Sequence, residues 1–268
     1  MAKYKKKRAR ELQHDRFRDT TMSFFDRLGN LLEGRGRTIL YGLVGLIVAS
    51  LLIIQLVRWN NKKSDEARQA LGRAITISRA AVSTTPIPGS AELTFSTDKE
   101  RAQHAIEEFE KVAAKYGDPY KSESRYFIAA NRLVVDRQKG ISELAELQNS
   151  NVGEVAALSK FALAQAYESD GKSDEAARLY SELARLNSPT VTTETANLRL
   201  AKVYEKQGKK KEAADLLFNI VDAARKAKGS DNQPLPQSSA AREASDELQK
   251  LDPDRYAQLP PETPVLAG

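Results

Sequence analysis

Residues 157–189 read ALSKFALAQAYESDGKSDEAARLYSELARLNSP, and residues 194–222 read ETANLRLAKVYEKQGKKKEAADLLFNIVD. When the two stretches are aligned, a Leu-Ala pair, a tyrosine, a glycine and a Glu-Ala pair recur in the same order. The matched positions are Leu163-Ala164, Tyr167, Gly171 and Glu175-Ala176 beside Leu200-Ala201, Tyr204, Gly208 and Glu212-Ala213. Each unit predicts two helices that alanines allow to approach closely, with a tyrosine between them and a glycine in the turn.

These residues resemble the tetratricopeptide repeat. The resemblance implies an all-α fold in which degenerate helical hairpins stack into an α-solenoid over residues 59–251. The two units depart from the usual pattern, because their tyrosines lie 37 residues apart and the early tryptophan is missing. Upstream, Ala105, Phe109 and Val112 resemble the second helix of a weaker unit, whose first helix would be Lys62–Val82.

The ends of the repeat region are predicted from helix and turn signals. Residues 121–148 would form a further irregular unit, and Thr97-Asp98-Lys99-Glu100 is typical of a helix start. A last helix near Ser239–Leu251 would cap the stack. Residues 252–268 contain PPETP and are predicted to form a Pro-rich disordered tail.

A long apolar segment precedes the repeats. Residues 39–57 read ILYGLVGLIVASLLIIQLV, without a charged side chain. A helix of this length measures about 28 Å, close to the hydrocarbon thickness of a bilayer. The alternatives are a buried helix, which would normally carry a polar face, and a cleaved signal peptide, but Arg58-Trp59-Asn60 stands where small residues would be expected. We therefore predict a single transmembrane helix over residues 38–58.

The segment before this helix holds the whole charge excess of the chain. Residues 1–37 carry eleven basic and five acidic side chains, a difference equal to the chain's net charge of +6. The remainder is neutral, so we expect no nucleic-acid partner. The basic tail predicts a cytoplasmic N-terminus and a periplasmic repeat domain, in a bacterial inner-membrane protein.

The tail also suggests contact with the membrane surface. Residues 17–32 place apolar side chains at helical spacings, as an amphipathic helix on the inner leaflet would require. The predicted surface-binding residues are Lys5, Lys6, Lys7, Arg8, Phe24 and Phe25. The alternative is a disordered charge run that only sets the topology.

The residue types needed for common catalytic sites are scarce. The chain has no cysteine and two histidines, and it lacks a phosphate-binding glycine loop after a strand and a nucleophile-elbow serine pattern. We therefore expect a protein that is not an enzyme and that uses no cofactor and no metal.

Stacked helical hairpins typically bind peptides or protein segments in a groove. The repeat register predicts that one residue set faces this groove: Phe161, Gln165, Glu168, Leu198, Lys202 and Glu205. The alternative is that the two apolar members pack between the repeats.

The whole layout resembles the ancillary subunit of the bacterial Sec (SecYEG) translocon. The shared features are a short tail with Phe24-Phe25, one anchor ending in Arg58-Trp59-Asn60, and degenerate repeats. The resemblance implies an adaptor that assists translocation or periplasmic folding, with Sec subunits, periplasmic chaperones and unfolded exported chains as partners. Alternatives are a structural scaffold for a cell-envelope complex and an inverted protein with cytoplasmic repeats.

Overall fold

The computed structural model describes residues 36–83, 93–230 and 232–262, except for the side chains of residues 36–40, 43 and 44. The chain divides into two compact units after Asp65. The predicted surface-binding residues of the basic tail, which are Lys5, Lys6, Lys7, Arg8, Phe24 and Phe25, lie outside the described residues.

Helix α1 spans Gly36–Ser78 and contains the predicted membrane segment. Its described apolar side chains between residues 45 and 57 are exposed. Among the described residues, no helix has a stretch that is both long and apolar enough to cross a membrane. The transmembrane helix over residues 38–58 stays a prediction.

Helix α1 ends before Val82, where the sequence placed its end. Residues Ala81–Val82 form strand β1, which pairs in parallel with strand β2, Thr94–Phe95. The register joins Ala81 to Thr94 and Val82 to Phe95. Backbone N–H and C=O groups of these residues thus have partners in a strand pairing rather than in a continuation of α1.

Nine further helices follow in the described residues. They are α2 (Asp98–Lys115), α3 (Tyr120–Val135), α4 (Arg137–Leu147), α5 (Gly153–Ser169), α6 (Ser173–Leu186), α7 (Thr193–Lys206), α8 (Lys210–Lys226), α9 (Ser239–Leu251) and α10 (Pro253–Tyr256). Each helix from α2 to α9 packs against the next one in the chain. The predicted series of helical hairpins is confirmed, and the short pair of strands β1 and β2 is an addition to the predicted all-α fold.

The predicted start of α2 has a reciprocal cap. Thr97 Oγ1 accepts a hydrogen bond from the backbone N–H of Glu100 at 3.1 Å. Glu100 Oε2 accepts one from the N–H of Ser96 at 3.0 Å. Two backbone donors at the helix start are thereby satisfied, which fixes where α2 begins.

The two clear repeats close their turns in the same way. Gly171 and Gly208 have φ angles of 74° and 75°, a left-handed conformation that favours glycine. In each turn the residue after the glycine donates a backbone hydrogen bond of 2.9 Å to the carbonyl of the repeat tyrosine, Tyr167 or Tyr204. This is the Schellman arrangement, so the predicted role of both glycines is confirmed.

Close helix contacts hold the repeats together. Ala164 and Ala176 are fully buried where α5 meets α6, and Ala201 and Ala213 are 1% and 0% exposed where α7 meets α8. Such small side chains let the helices approach closely and bury the larger residues beside them. The predicted packing role of these alanines is confirmed.

The apolar core runs along the repeat unit in three clusters. The first joins residues 66–78 of α1 to α2 and α3 around Phe109, whose ring stacks on that of Phe127 at 4.9 Å. The second extends from α3 to α7 around Tyr180, and the third joins α7, α8 and α9 around Leu217. Residues 66–78 thus serve as the first helix of a pair, as the sequence suggested.

The C-terminal segment differs from the predicted disordered tail. Residues 252–262 include helix α10 and pack against α8, with Leu259 8% exposed. The Arg225 side chain donates hydrogen bonds to the Pro260 carbonyl at 2.6 Å and to the Tyr256 hydroxyl at 3.2 Å. Arg255 forms an ion pair with Asp215. The packed region therefore extends beyond residue 251, while residues 263–268 lie outside the description.

Candidate protein-binding surface on the first helices

The first helices of successive hairpins lie beside one another. Helix α3 contacts α5, and α7 contacts α9. An ion pair between Glu168 and Lys206 joins α5 to α7, and another between Lys202 and Glu243 joins α7 to α9. We call the surface formed by α3, α5, α7 and α9 the first-helix surface. It holds most of the predicted groove residues.

Leu198 is the exception among those residues. It is 4% exposed and belongs to the core cluster between α7, α8 and α9. Its neighbours in that cluster include Ala201 and Leu217. The burial corrects the prediction that Leu198 lines a groove and favours the alternative in which it packs between repeats.

Phe161 occupies an intermediate position on α5. Its ring is partly buried and meets the ring of Tyr180 edge-on, with centroids 5.8 Å apart. This arrangement suits the electrostatics of two aromatic rings. Phe161 therefore packs on the core with one side and presents the other at the surface.

The predicted polar residues differ in how they are paired. The Glu168 carboxylate accepts a hydrogen bond from the Tyr180 hydroxyl at 3.2 Å and forms the ion pair with Lys206. Gln165 is half-buried, and Glu205 is exposed. Lys202 forms an ion pair with Glu243. Two of the four polar candidates thus serve as links between helices.

Tyr180 was not singled out from the sequence. It is fully buried and is the largest such side chain among the described residues. Burial, followed by the charge of Glu168, raises the pKa of the Tyr180 hydroxyl well above its usual value. The only signal in the sequence is its place in α6 opposite the helix that carries Phe161, and helical spacing alone does not fix which helix it meets.

Ion pairs between neighbouring helices make the free energy of unfolding depend on pH. The hydrogen bond from Lys202 lowers the pKa of Glu243, and that from Lys160 lowers the pKa of Glu182. A carboxyl group with a lowered folded-state pKa stabilises the fold above its unfolded pKa of about 4.3. That contribution is lost as the pH falls through the folded-state pKa.

We expect Glu243→Gln to lower the urea midpoint at pH 7, while the difference from wild type shrinks towards zero near pH 3. Urea titrations of the full chain at both pH values, followed by circular dichroism, measure this. Gln165→Ala is the control, because it removes a neutral amide from the same surface. A Glu243→Gln effect of equal size at both pH values would contradict the expectation.

Two clefts lie between α2, α3 and α4. Their volumes are about 510 and 430 Å³, and both are lined by Arg132 and Lys139. Arg132 is already paired with Glu143 at 2.6 Å and with Glu110 at 3.2 Å. Within the described residues, no group of three or more His, Asp or Glu side chains is placed to hold a metal ion.

The architecture of the described residues is a series of helical hairpins in which each helix from α2 to α9 packs against the next one in the chain. No protein-family model matches the chain, and no curated protein matches it significantly.

Among solved structures, the chain is similar to a Podosopora anserina protein described as a kinesin light chain with nearly identical TPR-like repeats. The identity is 18%, the match covers 72% of this chain and 88% of that one, and the TM-score is 0.49. A single-substitution variant of that protein gives the same values. A likeness at this level does not bear on function.

Proposed function

We propose that this protein is a membrane-tethered adaptor that binds segments of other proteins on its first-helix surface. The observation that carries the proposal is the row of exposed apolar side chains on α1. Nine Leu, Ile and Val residues between 46 and 57 are 48–67% exposed: Leu46, Ile47, Val48, Leu51, Leu52, Ile53, Ile54, Leu56 and Val57.

Such a row is unfavourable in water. Exposed apolar surface costs roughly 25 cal/mol per Å², and large exposed apolar patches mark contact with a membrane or another protein. These nine residues lie on all sides of a helix, because adjacent positions are separated by about 100°. Contact on all sides favours a surrounding bilayer over one protein partner.

The residues that follow the row support an interfacial position. Trp59 is 57% exposed, and the ammonium group of Lys63 lies 3.8 Å from the centre of its ring. Arg58 stands between this tryptophan and the apolar row. Tryptophan and basic residues at the end of an apolar helix are typical membrane-interface anchors.

The partners and the compartment follow from the layout of the sequence. The basic segment 1–37 supports a cytoplasmic N-terminus and a periplasmic repeat domain in a bacterial inner membrane. The likeness to the ancillary Sec subunit supports Sec subunits, periplasmic chaperones and exported chains as partners. The second candidate is a scaffold with one stable envelope partner, which the ordered C-terminal segment favours, since a rigid terminal surface suits a fixed contact.

The membrane tether is tested with the double variant Leu52→Arg/Ile53→Asp. Each charge at the centre of a spanning helix costs about 3 kcal/mol, so the variant should leave the membrane fraction after an alkaline carbonate wash. The matched control Leu52→Ala/Ile53→Ala should stay membrane-bound and float with lipid in a density gradient. Recovery of the wild-type protein in the supernatant would overturn the tether.

Orientation is a separate measurement. Protease added outside intact inner-membrane vesicles of right-side-out orientation should digest the repeat domain and spare an N-terminal tag. The reverse pattern would establish the inverted arrangement.

A further inference from the structure

The two halves of the first-helix surface differ in how their charges are used. On the α7/α9 half, Lys206 is paired with Glu168 and Lys202 with Glu243. A partner that bound there through charge would have to break these ion pairs. Glu168 and Lys202, two of the polar residues that the sequence favoured for binding, therefore link helices to one another.

The α3/α5 half carries apolar side chains that are only partly covered. Leu158 and Phe161 lie three positions apart on α5, so they share a face of that helix. Tyr126 on α3 packs against the same core cluster as both of them. Helix α3 contacts α5, and each of these three side chains is half-buried, so each leaves part of its apolar surface open on this half.

A carboxylate stands one helical turn before two of these side chains. Glu123 precedes Tyr126 by three residues, and Glu154 precedes Leu158 by four. Glu123 lies on α3 and Glu154 near the start of α5, and these two helices contact each other. Burial, followed by the negative charge of Glu154, raises the pKa of Glu123. Among the described residues, no lysine or arginine lies within ion-pair distance of Glu123 or Glu154.

We propose that the α3/α5 half of the first-helix surface docks a partner segment that carries lysine or arginine next to leucine or phenylalanine side chains. The apolar side chains would cover Tyr126, Leu158 and Phe161, and the basic group would lie against Glu123 and Glu154. This inference rests on the proposed function and names the partner chemistry of its binding surface.

Charge complementarity determines this choice of occupant. A half-buried carboxylate beside a second carboxylate gains most from a cation, because the cation removes both repulsion and incomplete solvation. An acidic segment would add a third negative charge at the same place. A purely apolar segment would cover the open side chains but leave the carboxylates unpaired and less hydrated.

The test uses the full chain in nanodiscs and fluorescence polarisation. The probe is a labelled octapeptide in which lysines alternate with leucine and phenylalanine, and its counterpart has glutamate in place of each lysine. We expect the lysine peptide to bind at least tenfold more tightly than the glutamate peptide, with affinity that weakens as salt rises.

The variants locate the site. Glu123→Gln/Glu154→Gln should lower the affinity for the lysine peptide at least fivefold, and Phe161→Ser should lower that affinity further. The matched control Asp222→Asn/Lys226→Gln removes one acid and one base from α8, outside the first-helix surface, and should leave the affinity unchanged. Circular dichroism of each variant checks that the helices are intact.

Equal binding of both peptides, no binding of either, or loss of affinity only in the Asp222→Asn/Lys226→Gln variant would overturn the inference. These outcomes are distinguishable from failure of the proposed function. Membrane association and partner capture are measured on the wild-type protein without either peptide, so their results do not depend on the peptide assay.

Discussion

Replacing Tyr180 with alanine is expected to destabilise the repeat unit by about 4 kcal/mol, the range found when large buried aromatic side chains are truncated. The ring is fully buried, contacts Phe161 edge-on and donates its hydroxyl to Glu168. Truncation leaves a cavity between α5 and α6 and removes one partner of Glu168. Urea unfolding of the full chain, followed by circular dichroism at 222 nm, measures the loss.

Tyr180→Phe separates packing from hydrogen bonding. It keeps the ring and should cost only about 1 kcal/mol, since the carboxylate of Glu168 retains its ion pair with Lys206. A loss below about 1 kcal/mol for Tyr180→Ala would mean that α5 and α6 do not enclose this ring.

Replacing Gly140 with alanine is expected to cost about 3 kcal/mol, because the contact between α3 and α4 leaves no room for a Cβ atom. An added Cβ would lie 2.6 Å from the backbone nitrogen of Leu133 and 3.0 Å from the carbonyl oxygen of Ala129. Both are backbone atoms, so only a shift of a whole helix relieves the clash. Thermal unfolding should show a midpoint lower by roughly 6–12 °C.

Gly72→Ala is the matched control for this substitution. Gly72 also lies within a helix, but a Cβ there would meet nothing within 4 Å. Alanine at an open helical position stabilises by up to about 1 kcal/mol through helix propensity. If Gly140→Ala behaved like Gly72→Ala, the close approach of α3 and α4 would be contradicted.

The helical hairpins were predictable because their signals are local. Alanines, tyrosines and turn glycines recur at fixed spacings, and both glycines adopt the left-handed conformation that the pattern implies. The helix predicted near Ser239–Leu251 has those bounds in the structure. Such signals depend on neighbours within a few residues, which the sequence displays directly.

The C-terminal segment was not predictable for the opposite reason. Its prolines and charges are typical of a disordered tail, and its order depends on Arg225, which lies 31 residues before Tyr256. The side chain of Arg225 is 6% exposed and forms its contacts almost entirely with that segment. No periodicity of residues 252–262 reveals a partner so far away in the chain.

The candidate surface was predicted in part. The register placed Phe161, Gln165 and Glu168 on one helix, which is α5, and their binding role stays a prediction. It could not show that Leu198 is buried in the cluster of α7, α8 and α9. It also could not show that Lys202 is paired with Glu243, because the two residues are 41 positions apart in the chain and lie on different helices. Long-range contacts of this kind decide which polar side chains remain available to a partner.

The proposed function requires that a membrane-tethered repeat domain binds proteins through its first helices. Its most direct test is photo-crosslinking in cells with benzoyl-phenylalanine at position 161, compared with the same probe at Arg178, an exposed residue of the second helix α6. We expect membrane-associated adducts from position 161 that include exported proteins, and few from position 178. Equal adducts from both positions, or none from position 161, would contradict it.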